Sequence, residues 1–339
     1  MHAREASDLH LVPGYRPMFR IGGVLLPALD APLADGAVPA LLAALAPDET
    51  FDDGQGADAD FAVHLDPPGG PRFRVNVFSS RGRIGACFRA IPDRIPDLDS
   101  LGFPADLANR IAAQRNGLVL VTGITGSGKT TTLASLIQRL NAQGGFRIIT
   151  IEEPIEYLYP AAADSIVTQR EVGRDVASFY DGLRYGLRQD PDVILVGEIR
   201  DRETAQLALS AAETGHLIFA TMHTTDAKGA ITRMIDLFPP EQHADIRTQL
   251  SLSLRFVIAQ HLLPAGDAGR RVLATEALSA SFAVRSAIRQ GQIEKLESAI
   301  QSGRRDGMWT LDMDLRRLLG DGRISAQTAR EFAKDPSEF

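Results

Sequence analysis

Cysteine is nearly absent from the chain: Cys87, in the apolar stretch Gly85-Ala86-Cys87-Phe88, is the one thiol in 339 residues. A disulfide framework or a cysteine-based zinc site cannot be built from one sulfur, and Cys87 reads as a small core residue. The opening residues Met1-His2-Ala3-Arg4-Glu5-Ala6-Ser7-Asp8 carry no apolar stretch of the kind a signal peptide needs. No apolar run approaches the ~18 residues that would cross a bilayer. The expectation is a cytoplasmic protein without membrane insertion, brought to any membrane by a partner. An excess of basic charge is missing too. Acidic residues number 43 and basic ones 36, a net charge of −7 that argues against a chain coating nucleic acid. Internal repeats and low-complexity tracts are also lacking.

What is present suits ordinary globular structure. Apolar residues make up 44% and charged ones 23%, enough to bury a large core, and the length accommodates two domains. Residues up to about 91 read as an α+β unit. Asp8–Val12 suggests a short strand, and Met18–Ile21 and Val24–Leu26 flank the hairpin signal Gly22-Gly23. Val38–Leu45 suits a helix. Asp60–Leu65 and Arg72–Phe78 alternate around a turn at Pro67-Pro68-Gly69-Gly70, as an antiparallel sheet with one wet face requires. The proline- and aspartate-rich run that starts at Ile91 reads as a linker over 92–104.

From 105 to 339 the pattern becomes one of alternating strands and helices. Gly117–Thr122 is a continuous apolar run typical of a buried parallel strand, and Phe146–Ile151, Val193–Val196 and Leu217–Met222 read as three further strands, with helices at Lys129–Leu140 and Arg202–Ala212. The chain becomes mainly helical from about residue 281. The fold class expected is α/β.

The loop Gly123-Ile124-Thr125-Gly126-Ser127-Gly128-Lys129-Thr130 matches G-x-x-x-x-G-K-[ST] in full, between an apolar strand and a helix. Glycines let backbone N–H groups turn around phosphate oxygens, and the helix N-terminus aims its positive end at them. Thr125, Gly126, Ser127, Gly128, Lys129, Thr130 and Thr131 are therefore the candidate residues for ATP. Lys129 would neutralise the β- and γ-phosphates, and the Thr130 hydroxyl would ligate Mg²⁺. Hydrolysis also needs a carboxylate near water and metal. Two acidic segments follow strands, Glu152-Glu153-Pro154-Ile155-Glu156 and Gly197-Glu198. Both fall where ligands bind in open α/β sheets, beyond the carboxyl ends of the strands. His223 follows Leu217–Met222 on that same side, placed to contact a γ-phosphate, whereas His216 precedes the strand. The two are not spaced as zinc ligands.

Taken together these segments resemble the secretion ATPase superfamily, and within it the PilT-like retraction motors of type IV pili, which drive twitching motility. The resemblance runs over nearly the whole chain. It rests on Ala6–Leu11, Arg72–Asn76, the acidic box at 149–156, Gln169-Arg170-Glu171-Val172-Gly173, the Walker B stretch at 192–201 and the histidine box from Ala212-Glu213-Thr214-Gly215-His216 to His223-Thr224. It implies a PAS-like amino-terminal domain before a RecA-like P-loop ATPase domain. Glu156 would activate water, Glu198 would be the Walker B glutamate, and Glu153 would join Thr130 at Mg²⁺. Arginines of the amino-terminal domain would reach the phosphates; Arg81, Arg83 and Arg89 are the candidates, with the choice between Arg81 and Arg83 open. A homo-hexamer is implied, with nucleotide between domains and a neighbouring subunit. The implied partners are an inner-membrane platform protein and further pilus motor ATPases.

The chain departs from the family pattern in two places. Glu153 stands where aspartate is usual, and the carboxy-terminal motif reads Ala283-Val284-Arg285-Ser286-Ala287-Ile288-Arg289, with Ser286 for asparagine and Ala287 for leucine. The lack of a four-cysteine insertion favours the retraction branch, or the compact ATPases of type IVB secretion, over assembly and type II motors. A nucleotide-gated interaction protein with little turnover is the rival from another class, and phosphate release separates the two. A nucleic-acid motor is disfavoured by the acidic balance.

Overall fold

The computed structural model describes residues 1–4, 6–46, 58–65, 70–92, 94–265 and 271–339, the side chains of His2 and His64 excepted. The chain divides into two units. One holds Met1–Arg94 together with Pro154–Leu158; the other holds Ile95–Glu153 and Tyr159–Phe339.

In the first unit, alternating residues give an antiparallel sheet. Its elements are β1 (Asp8–Leu11), β2 (Met18–Ile21), β3 (Val24–Pro27), α1 (Ala37–Leu45), β4 (Ala59–His64), β5 (Arg72–Ser80) and β6 (Arg83–Ile91). The strand order is β3-β2-β1-β6-β5-β4. Gly22 and Gly23 have φ of 55° and 86° and close the expected hairpin. The β4–β5 connection read from Pro67-Pro68-Gly69 lies outside the described residues. Val75, Val77, Ala86 and Leu42 are fully buried between the sheet and α1. Cys87 on β6 is only half-buried, and burial pushes its thiol up from the ordinary value.

The second unit runs through α2 (Ala105–Ala112), β7 (Gly117–Thr122), α3 (Lys129–Gln143), β8 (Arg147–Glu152), β9 (Ile166–Glu171), α4 (Phe179–Gly186), β10 (Val193–Val196), α5 (Arg202–Glu213), β11 (Leu217–Met222) and α6 (Ala227–Asp236). It continues with α7 (His243–Ser253), β12 (Leu254–Pro264) and β13 (Arg271–Ser279). The helices α8 (Phe282–Arg289), α9 (Lys295–Ser302), α10 (Leu311–Gly320) and α11 (Ala326–Phe332) complete it. Seven strands pair in the order β13-β12-β7-β11-β10-β8-β9, all parallel except β13. Apolar clusters cover both faces of the sheet, which explains why β7, β10 and β11 are apolar without alternation. Leu98 and Phe103, within the stretch expected as linker, are buried in one of those clusters.

The topology sets the site. β7 lies between β12 and β11, and the chain leaving β7 through α3 re-enters the sheet at β8, beyond β11 and β10. A crevice opens where neighbouring connections diverge, at the carboxyl ends of the strands. The parallel register pairs Thr122 with Met222, Ala220 with Val196 and Val196 with Ile151. The residues just past β7, β8, β10 and β11 therefore share one edge of the sheet. Among the described residues no helix is long and apolar enough to cross a membrane.

Candidate nucleotide site

The loop that leaves β7 winds because its glycines occupy backbone conformations that L side chains avoid. Gly126 has φ of 81° and Gly128 of 89°, and α3 starts at Lys129 directly after Gly128. A Cβ on Gly123, at φ 147°, would sit 2.5 Å from the Gln260 carbonyl oxygen and collide with the Ser127 hydroxyl. The Ser127 Oγ is itself buried without a hydrogen-bond partner. Glycine-permitted turns and a helix N-terminus form an anion cradle, and the residues present fit a nucleotide phosphate.

Lys129 is 8% exposed, and its ammonium donates to the carbonyls of Gly123 at 2.8 Å and Ile124 at 3.1 Å. Burial pulls the Lys129 ammonium below its ordinary value, with the Glu198 carboxylate acting in the opposite sense. A cation held this way gains from an anionic ligand. Thr130 and Thr125 are exposed at the loop, and Thr131 is half-buried on α3.

Opposite the loop's strand, Glu198 stands two residues past β10 at the centre of an ionic cluster. Its Oε2 lies 2.7 Å from Arg200 Nη2 and its Oε1 lies 3.3 Å from His223 Nε2. Burial alone would raise the Glu198 carboxyl, but Arg200 and His223 outweigh it and hold the group below the usual carboxylate range. Arg200 also reaches Glu153 Oε2 at 3.3 Å, so the longer side chain at 153 meets the same guanidinium. A carboxylate kept ionised by two partners suits orienting water and metal better than accepting a proton. Thr130, Glu153 and Glu198 offer hard oxygen donors compatible with Mg²⁺, which typically takes one or two carboxylates and completes its shell with phosphate and water.

Residues that the sequence did not single out hold this edge in register. The Thr122 hydroxyl accepts from the Thr224 amide at 3.0 Å, tying the strand before the loop to the residue after His223. The Thr221 hydroxyl donates to the Gly197 carbonyl at 2.5 Å, just before Glu198. Gln260 on β12 donates to the Thr132 hydroxyl in the first turn of α3 at 2.8 Å. His216 sits at the opposite end of β11, with its ring Nδ1 3.1 Å from the Ala211 carbonyl.

The remaining candidates lie in the amino-terminal unit. Glu156 belongs to the Pro154–Leu158 segment, where Arg74 Nη1 lies 3.9 Å from its Oε1 and Arg72 donates to the Ile155 carbonyl at 2.9 Å. Both arginines come from the Arg72-Phe73-Arg74-Val75-Asn76 motif, which the sequence offered only as part of a sheet. Arg83 pairs with Asp35 at 3.2 Å and is half exposed. Arg89 pairs with Asp8 at 2.8 Å on the neighbouring strand β1. Arg81 sits in the β5–β6 turn at φ 54°. On α8, Val284 and Ile288 are fully buried and Ala287 nearly so, while Arg285 is half-buried and Arg289 exposed.

Known proteins resemble the chain over nearly its full length. The family model described as "Type II/IV secretion system protein" matches residues 1–321. A protein described as type IV pilus retraction ATPase PilT of Pseudomonas aeruginosa is 45% identical over 335 residues, covering 98% of this chain and 96% of the relative. The crystal structure of the pilus retraction motor PilT with bound ADP superposes with a TM-score of 0.88 at 40% identity, covering 100% of this chain and 96% of that one. The Legionella pneumophila ATPase DotB superposes with a TM-score of 0.84 at 30% identity, over 97% of this chain and 92% of that one.

Proposed function

We propose that the chain, which belongs to the type II/IV secretion system protein family, is the ring motor that retracts a type IV pilus. It is an ATP hydrolase of that family. The observation that carries the reading is the convergence of the Lys129 loop, Glu198 and His223 on one edge of the parallel sheet, in a chain 45% identical to a retraction ATPase.

In this reading the amino-terminal unit is PAS-like and the ATPase unit RecA-like. The 123–130 loop binds the phosphates, with Lys129 neutralising charge on the β- and γ-groups. Thr130, Glu153 and Glu198 would hold Mg²⁺, which would supply charge neutralisation at the transferring phosphoryl. Glu198 orients the attacking water, Arg200 keeps that carboxylate ionised, and His223 contacts the γ-phosphate side. Glu156 takes the water proton. Arg83 and Arg89 stabilise developing negative charge, exchanging Asp35 and Asp8 for phosphate oxygens. Six chains form the ring. Sequential turnover then works on an inner-membrane platform protein from the cytoplasmic side, and pilin subunits leave the fibre.

The test is made in cells. The gene is deleted and restored as wild type or as Lys129→Ala, and surface fibres are followed. The reading expects fibres to accumulate without retracting when Lys129→Ala is the only copy. Normal retraction with that variant would overturn it.

A further inference from the structure

The catalytic edge is tied to a part of the molecule that the mechanism above leaves idle, the segment after α11. Lys334 reaches back from that segment, and its Nζ lies 3.1 Å from Glu276 Oε2 and 3.6 Å from Asp226 Oδ2. Glu276, on β13, is 2% exposed, and its other oxygen accepts the Ala227 amide at 2.8 Å, the first N–H of α6. Asp226 caps the same helix by accepting the Gly229 amide at 2.6 Å. Thr224 donates to the Asp226 carbonyl at 3.4 Å and to the Thr122 hydroxyl at 3.0 Å, and His223 precedes it. The backbone that presents Lys334 is fixed as well. Asp312, 9% exposed, accepts the amides of Lys334 at 2.8 Å and Asp335 at 3.0 Å.

We propose that Lys334 is a positioning residue for ATP turnover, holding the His223–Asp226 loop in place through Glu276 and Asp226. The inference rests on the assignment of Glu198 and His223 given above. A carboxylate as buried as Glu276 needs a partner charge, and removing that partner leaves the carboxylate to withdraw from the dry site or to reorganise around it. Either response frees the Ala227 amide and the start of α6. The loop before it then loses its fixed end, and His223 its fixed distance to Glu198. The phosphate cradle stands on Gly123–Thr131 and does not depend on this anchor, so the loss falls on the chemical step rather than on nucleotide binding.

The experiment measures kcat and KM for ATP, with the melting temperature, on the full chain. The variants are Lys334→Met, Lys334→Arg, the double change Lys334→Met with Glu276→Gln, and Arg316→Ala. Arg316, on α10, lies over the ring of Phe339 in the terminal segment at 5.7 Å and has no part in the Glu276 contact, so its removal loosens the end of the tail. Lys334→Met lowers kcat about tenfold with KM nearly unchanged, as a misplaced group in a positioned site does. Lys334→Arg restores turnover, and Arg316→Ala lowers the melting temperature without lowering kcat. The double change removes the buried charge and keeps an acceptor for the Ala227 amide, so it recovers kcat that Lys334→Met loses. A double variant no faster than Lys334→Met, or equal kcat losses in Lys334→Met and Arg316→Ala, overturns the proposal. Glu198→Gln serves as reference. If it is inactive while the Lys334 variants are normal, the Lys334 inference alone fails; if it too is normal, the underlying site assignment fails.

Discussion

Arg200 Nη2 lies 2.7 Å from Glu198 Oε2, and the same guanidinium spans to Glu153 Oε2 at 3.3 Å. One cation therefore governs both carboxylates offered to metal and water. Removing it as Arg200→Met frees the Glu198 carboxyl to rise toward the ordinary range, because burial is then opposed by His223 alone among the causes that lower it. Turnover in this variant falls about tenfold at neutral pH. The acid limb of its pH–rate profile moves to higher pH than in the wild type, since a raised pKa means protonation at a higher pH. Matched profiles of kcat/KM check both effects.

Glu153 is the second arm of that bridge and a proposed metal contact. Glu153→Gln keeps the length of the side chain and removes its charge. The Mg²⁺ concentration for half-maximal turnover rises about threefold to tenfold, the effect of losing one charged oxygen donor from a site that uses few. A magnesium titration of ATPase rate at saturating ATP measures it, and chelation of the metal stops turnover in wild type and variant alike.

Gly123 has no room for a side chain. At φ 147° a Cβ meets the Gln260 carbonyl at 2.5 Å and clashes with Ser127. Gly123→Ala costs about 1–3 kcal/mol of stability from backbone strain, and nucleotide affinity falls because the strand end and the cradle must separate. Thermal unfolding with and without ADP reads both losses.

Asp8 and Arg89 face each other across β1 and β6, and the Asp8 side chain is nearly buried. Burial acts to raise the Asp8 carboxyl, but hydrogen bonds from Arg89 and Ser7 outweigh it and hold the group below its ordinary value of 3.8. A depressed carboxyl stabilises the fold above the unfolded-state pKa, and that stabilisation is lost as pH falls through the folded value. Asp8→Asn therefore lowers stability by about 1 kcal/mol at neutral pH, and the gap from wild type closes in acid. Denaturant melts across that range test it.

Some of this was legible in the sequence, and the reason is local chemistry. β7, β10 and β11 are buried on both faces and are almost wholly apolar, and the phosphate loop has its own residue pattern. Gly22-Gly23 announced the β2–β3 hairpin. β12 was not legible, because Arg255, Gln260 and His261 interrupt its apolar run, and their reasons for being there lie far away: Asn116, Thr132 and Thr225. β9 is half exposed at the sheet edge and shows no clear period. Within the site, the sequence marked Lys129, Glu198 and His223 through their place after strands. It gave no sign that Arg200 binds two carboxylates or that Thr122 clamps Thr224, since those partners meet only after the sheet forms. Nor did composition mark Pro154–Leu158 as five residues that fold with the amino-terminal unit, held there by Arg72 and Arg74.

The central claim is that ATP is hydrolysed at the site of Lys129 and Glu198, with Glu156 as the base. Steady-state phosphate release by the full chain, with ATP and Mg²⁺, tests it most directly when Glu198→Gln and Glu156→Gln are run beside the wild type. The account predicts that each variant loses about 10²–10⁴-fold in kcat while still binding ADP as the wild type does. Turnover near the wild-type rate in either variant would contradict the role given to that residue, and in both would contradict the account.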